Sequence, residues 1–168
     1  MKKTIFLGLL FICGIAIPAF SNNLADPLPV KEIKVQRYTS VVVNASVTVY
    51  LVNIESDIVK MSGEDLFMQH VTVKVEGNKL IIDASKNKDF KKKGAIYIPA
   101  ALIHGLEVNS AAVVRSGTSL DIPLLNVIIN GSCKVSIVNK GEVKLTGSLG
   151  YDFDYYVKRR YPLINEEQ

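Results

Sequence analysis

One phrase recurs in this chain and narrows the folds open to it. "VVVNAS" from Val41, "LEVNSA" from Leu106, "VIINGS" from Val127 and "VKLTGS" from Val143 share one form. Each reads apolar-x-apolar, then a corner residue, then two small residues. The corners are Asn44, Asn109, Asn130 and Thr146, each preceded by an apolar residue: Val43, Val108, Ile129 and Leu145. The step from Leu106 to Val127 is 21 residues and the step from Val127 to Val143 is 16. Repeats of about 20 residues point to coils that cannot bury an apolar face alone and must stack on their neighbours. In such a stack equivalent residues lie ~4.8 Å apart, which excludes bulk at a corner. An Asn there can bond to its stacked copy or to its own backbone two residues on.

Elsewhere the apolar period is two. "IKVQRY" from Ile33, "VTVYLV" from Val47, "VTVKV" from Val71 and "AIYI" from Ala95 alternate, and β-branched residues dominate them, as pleated, half-buried surfaces favour. Residues 62–70 hold one helical turn at most. Gly77-Asn78 between two alternating runs predicts a tight hairpin. The expected class is therefore all-β and solenoid-like, with a β-sandwich of similar turns as the alternative. The string at Val41 lies 65 residues before the next one, with the hairpin signal between them. That gap predicts an N-terminal portion of hairpin character leading into a C-terminal solenoid.

The first residues give an address. Lys2 and Lys3 precede an apolar run from Ile5 to Ile17, followed by Pro18, Ala19 and Ser21. A basic start, a short apolar run and a small-x-small exit describe a secretory signal peptide cleaved after Ser21, with cleavage after Ala19 as the alternative. The run is short for a bilayer span, which takes roughly 20 residues. Cys13 sits inside it after Ile12, where lipidation is not expected. Cleavage leaves Cys133 as the one cysteine, so no internal disulfide can form. Cys133 stands where Ala112 stands in the related string, which predicts a small buried residue. Removing Lys2 and Lys3 takes the charge of +4 to +2, too mild to argue for nucleic acid. The expected organisation is a signal peptide over 1–21, a polar lead over 22–32, one β-solenoid domain over 33–157 and a polar tail over 158–168.

Chemistry-bearing patterns are sparse. His70 and His104 are the two histidines, with no spacing that builds a metal site. No catalytic residue, metal or cofactor is expected. Glu64-Asp65 is the carboxylate pair a glycan-cleaving β-helix enzyme would need, but in an extended segment the two side chains diverge. Tyr151, Phe153 and Tyr155 share a face if extended, and such an aromatic row could stack on sugar rings or cover an open end. Residues 86–94 carry Lys86, Lys88, Lys91, Lys92 and Lys93. They read as a solvated loop or, more sharply, as a basic patch for an anionic glycan or lipid head group. The sequons at Asn44 and Asn130 lie in the corner motif, where turn chemistry accounts for them.

Several longer passages, in order, resemble the auto-transporter adhesin, head GIN domain family of cell-envelope proteins. They are "VVVNASVTVYLV", "VKMSGEDLFMQHVTVKVEGNKLIIDAS", "IYIPAALIHGLEVNSAAVVRSG", "VIINGSCKVSI" and "VKLTGS", covering Ile33 to Ser148. Ser110-Ala111 departs from the family, which usually has Gly there. The resemblance implies a right-handed parallel β-helix-like fold outside the cytoplasm: periplasmic, outer-membrane-associated or secreted. The function expected is non-catalytic binding, adhesion or scaffolding, with a glycan or envelope protein as partner, no membrane span after cleavage, and self-association through an exposed end or edge. The alternative is a glycan-active enzyme on the same fold. N-terminal sequencing of the chain after expression in a secreting host is expected to begin at Asn22; an intact Met1 would refute the leader.

Overall fold

The computed structural model describes residues 28–85 and 89–147, and the backbone alone of a last strand at Asp152–Val157. The chain is all-β, with two mixed sheets, neither of them closed. The strands are β1 (Val30–Lys34), β2 (Ser40–Val43), β3 (Thr48–Val52), β4 (Ile58–Gly63), β5 (Val71–Glu76), β6 (Lys79–Ala84), β7 (Gly94–Pro99), β8 (Gly105–Val108), β9 (Val113–Ser116), β10 (Leu124–Ile129), β11 (Lys134–Asn139), β12 (Glu142–Gly147) and β13 (Asp152–Val157). Among the described residues one helix occurs, α1 (Asp65–His70); its six residues slightly exceed the one turn expected, and Phe67 on it is buried.

One sheet runs β1-β4-β7-β3-β9-β11-β13 and the other β12-β10-β8-β2-β6-β5. A strand of the second sheet, a corner and a strand of the first form a unit: β6–β7, β2–β3, β8–β9, β10–β11 and β12–β13. Within each sheet these units pair parallel, and the register preserves the repeated phrase. Val43 pairs with both Ile82 and Val108, and Val108 pairs with Ile129. All four are fully buried in one core shared by the two sheets. Full burial of each such side chain contributes about 1.5–3 kcal/mol.

The corners repeat one hydrogen-bond scheme. The backbone N–H groups of Asn44, Asn109 and Asn130 donate to the carbonyls of Ile82, Val43 and Val108, each at 2.9 Å. Their side chains form a ladder. Asn130 Nδ2 donates to Asn109 Oδ1 at 2.8 Å, Asn109 Nδ2 to Asn44 Oδ1 at 2.9 Å, and Asn44 Nδ2 to Asp83 Oδ1 at 2.7 Å. An amide passes the polarity on because it both donates and accepts. The last member only has to accept, and a carboxylate suits that place. The string "LIIDAS" from Leu80 is thus a further copy of the phrase, with Asp83 as its corner.

Small residues at the corners have the expected cause. A Cβ on Gly131 would lie 2.7 Å from both the N and the O of Ser110. Ser110 donates its hydroxyl to the Ala45 carbonyl at 2.7 Å and so stitches two units together. Cys133 aligns with Ala112 next to the Lys134–Val113 pair, and it is buried as expected.

Two expectations need correction. The N-terminal half does have hairpin character, in the antiparallel β1, β4 and β5, but the string at Val41 is not part of it: β2–β3 lies between β6–β7 and β8–β9, in the middle of the stack. The chain lays down this unit first, adds β4, α1, β5 and β6–β7 on one side, then crosses it to build β8–β9 on the other. Contacts across 65 residues, as from Asn109 to Asn44, made the gap in sequence no guide to distance in space. Thr146 is not the corner equivalent of Asn130. It pairs with Ile128, and Gly147 pairs with Ile129, so the alignment slips by two residues. Leu145 accordingly pairs with Val127 instead of Ile129, and as part of an edge strand it stays 36% exposed. Gly77 takes the positive φ of 62° in the expected β5–β6 hairpin. Gly131→Ala is expected to lower unfolding stability by about 1–3 kcal/mol through overpacking. Urea denaturation reads it as a lower midpoint at unchanged slope; an unmoved midpoint would show that the corner has slack.

Candidate functional site

Sequence-level candidates fall in separate places. Phe153 and Tyr155 lie in β13, in register with Val135 and Ile137, and Tyr151 lies outside the described residues. Glu64 precedes α1 and is paired to Lys93, Nζ to Oε2 at 3.0 Å, while Asp65 opens the helix and is exposed. His70 shares a 2.9 Å hydrogen bond with Ser85 Oγ. His104 is exposed in the β7–β8 connection, its N–H donating to the Thr39 carbonyl at 2.8 Å. Among the described residues no three His, Cys, Asp or Glu group as metal ligands.

A different constellation stands on the outer face of the first sheet. Strand alternation sends Val49 and Leu51 of β3, and Ile96 and Ile98 of β7, into the core, so Tyr50 and Tyr97 point outward. The two tyrosines are register partners, their ring centroids 5.2 Å apart and the planes 14° from parallel. Tyr97 is 40% exposed. The same row continues through Lys60 on the β4 side and Arg115 on the β9 side. Lys60 is held by Glu32 at 2.8 Å; Arg115 has no acidic partner among the described residues.

Beside the tyrosines lies a cleft of ≈ 250 Å³. Its floor is the neighbouring row of small residues, Ser62, Ala95 and Thr48. Tyr50 and Tyr97 line it toward the middle of β3 and β7, Lys91 and Lys92 toward the start of those strands, and the exposed Leu28 lines it as well. The lysines belong to the basic segment 86–94, of which 86–88 are outside the described residues. Its latter part is pinned to the sheets. Phe90 is buried and its N–H donates to the Ser46 carbonyl at 2.8 Å; the Thr48 hydroxyl donates to the Lys91 carbonyl at 2.8 Å. Lys91 Nζ sits 3.3 Å from Asp89, whose carboxyl is held below its usual range chiefly by the Lys91 backbone N–H. Sequence reasoning missed this site. A Tyr at the outward phase of "VTVYLV" and of "AIYI" was the available signal; that the two share a row depends on β3 lying next to β7.

A second cavity of ≈ 250 Å³ sits where the β7–β8 connection crosses the β2–β3 unit. Tyr38 closes its inner side. It is buried, and its hydroxyl donates to the Pro99 carbonyl at 2.6 Å. Burial pushes its phenol well above the ordinary range.

An all-β domain of two mixed sheets, stacked largely in parallel, is the class that this fold defines. Residues 37–150 match the family described as "Putative auto-transporter adhesin, head GIN domain", and the chain belongs to that family. Similar solved structures include a "putative adhesin" from Bacteroides fragilis, 17% identical with TM-score 0.62, and one from Parabacteroides merdae, 15% identical with TM-score 0.64. A "Putative lipid binding protein" from Parabacteroides distasonis is 12% identical with TM-score 0.50. Each match covers 78% of this chain, and the chain spans 62%, 57% and 61% of theirs. At these identities the likeness concerns the fold. No curated protein matches the sequence.

The raised Tyr38 phenol carries a pH signature. The folded state holds this proton more tightly than the unfolded state, so the contribution is complete below the unfolded pKa of about 10 and is lost as pH rises beyond it. Tyr38→Phe is expected to cost about 1 kcal/mol at neutral pH and to flatten the alkaline loss of stability. Urea midpoints measured across that range would show the variant as steep as the parent if the assignment were wrong.

Proposed function

We propose that the chain is an exported, non-catalytic envelope domain on a right-handed parallel β-helix-like solenoid, and that it binds glycans as an adhesion or scaffolding module. The observation that carries this reading is the Tyr50–Tyr97 pair. Stacking uses one face of each ring and leaves ring edges and hydroxyls for a ligand. An outward aromatic pair costs solubility unless it is used, and such rings supply the apolar contact with a polar handle that sugars need. The parallel, in-register units support the solenoid, and the family's name supports adhesion outside the cytoplasm. Among the described residues no helix is long and apolar enough to cross a membrane.

The carboxylates support binding over cleavage. Glu64 is engaged by Lys93 at the start of α1, and neither Glu64 nor Asp65 lines the cleft beside the tyrosines. Self-association has one specific observation in its favour: β12 ends its sheet among the described residues with Leu145 exposed, and edge strands invite pairing. Co-sedimentation with insoluble cell-wall polysaccharides is expected to retain the chain without release of reducing or unsaturated sugars. Product release would establish the enzyme reading, and absence of retention on every polysaccharide would remove the glycan reading.

A further inference from the structure

The cleft between the tyrosine ridge and the lysine loop has a chemical bias, and the glycan reading above does not specify it. We infer that this cleft binds a carboxylated sugar, a uronic-acid-type residue within a glycan, with its ring against Tyr50 and Tyr97 and its carboxylate at Lys91 and Lys92. The inference rests on the glycan reading and adds the ligand class and the site.

Four observations carry it. The floor of Ser62, Ala95 and Thr48 is low, while the flanking side chains are long, so the hollow admits one compact ring. The aromatic side offers ring edges and two phenol hydroxyls, which can donate to or accept from sugar hydroxyls. The part toward the start of β3 and β7 is cationic. Lys91 and Lys92 face one carboxylate, Asp89, and Lys92 is exposed with no acidic partner among the described residues. An incoming carboxylate thus meets an uncompensated positive charge, and charge complementarity of this kind raises both specificity and association rate.

The fourth observation is preorganisation. A lysine loop on a mobile tether would lose much of its binding energy to ordering. Here Phe90 is anchored in the core, the Lys91 carbonyl accepts from Thr48, and the Lys91 N–H donates to Asp89 Oδ1 at 3.0 Å. The residue that fixes the loop, Thr48, lies two positions from Tyr50 on the same strand, so one strand positions both sides of the cleft.

The test uses the full chain, tetragalacturonate, its methyl-esterified form and vesicles of anionic phospholipid, read by isothermal titration calorimetry and vesicle co-sedimentation. The acidic oligosaccharide is expected to bind at least about tenfold more tightly than the ester and to weaken with added salt. Tyr97→Ala and the double change Lys91→Gln, Lys92→Gln should each reduce that binding about tenfold or more. Lys144→Gln, on the other sheet, should leave it unchanged. All three variants should retain the parent thermal midpoint within a few degrees, since none of these side chains is in the core. Equal binding of acid and ester, or acid binding that survives both cleft variants, overturns the site while leaving the glycan reading intact. Vesicle binding lost in the same variants, with no oligosaccharide bound, overturns it in favour of a lipid phosphate. No binding to any probe overturns it as well, and retention on the insoluble polysaccharides of the co-sedimentation experiment then decides whether the broader reading survives.

Discussion

In-register parallel stacking is the constraint from which the rest follows. When strands repeat at ~4.8 Å, each position is answerable to the same position in the next unit. Apolar residues must meet apolar residues, which yields the column Ile82, Val43, Val108, Ile129. Polar corners must meet groups that both donate and accept, which yields the amide ladder. The ladder ends on Asp83, with Lys74 3.9 Å from its other oxygen, so the terminal charge is not left alone. Backbone approach at the corner leaves no room for a Cβ at Gly131.

The order of assembly in space differs from the order in sequence. Unit β2–β3 is central, and the β7–β8 connection passes over it. That crossing is tied down by the Ala100 N–H to the Val52 carbonyl at 2.8 Å, the His104 N–H to the Thr39 carbonyl at 2.8 Å and the buried Tyr38 hydroxyl to Pro99. On the far side the stack changes character. β4 joins β7 antiparallel, β5 joins β6 antiparallel, and α1 lays Phe67 into the core, edge-on to Phe90 at 6.3 Å. The edge strands β1 and β5 carry charge, Lys31 and Lys34 in β1, Lys74 and Glu76 in β5, a common protection against unwanted pairing.

The same rearrangement makes the outer face. Tyr50 of β3 and Tyr97 of β7 are 47 residues apart in the chain, yet the stack sets their rings in contact. It also brings the corner of β2–β3 under the basic segment, where Ser46 and Thr48 hold the chain at Phe90 and Lys91. Aromatic side chains and lysines that read separately as an alternating strand and a solvated loop thereby share one cleft.

The amino-acid sequence determined the all-β class, the corner phrase, the Gly77 hairpin, the short helix and the burial of Cys133, because each depends on local periodicity or on residue size at a turn. It also contained the corner at Asp83, legible in "LIIDAS" once an acceptor-only end to the ladder is allowed. It could not supply the threading, the two-residue slip at Thr146 or the pairing of Tyr50 with Tyr97. Those depend on which unit stacks on which, and near-identical phrases are energetically similar partners for one another. Only the tertiary structure chose among them, by the crossing over β2–β3 and by the core that all the units share.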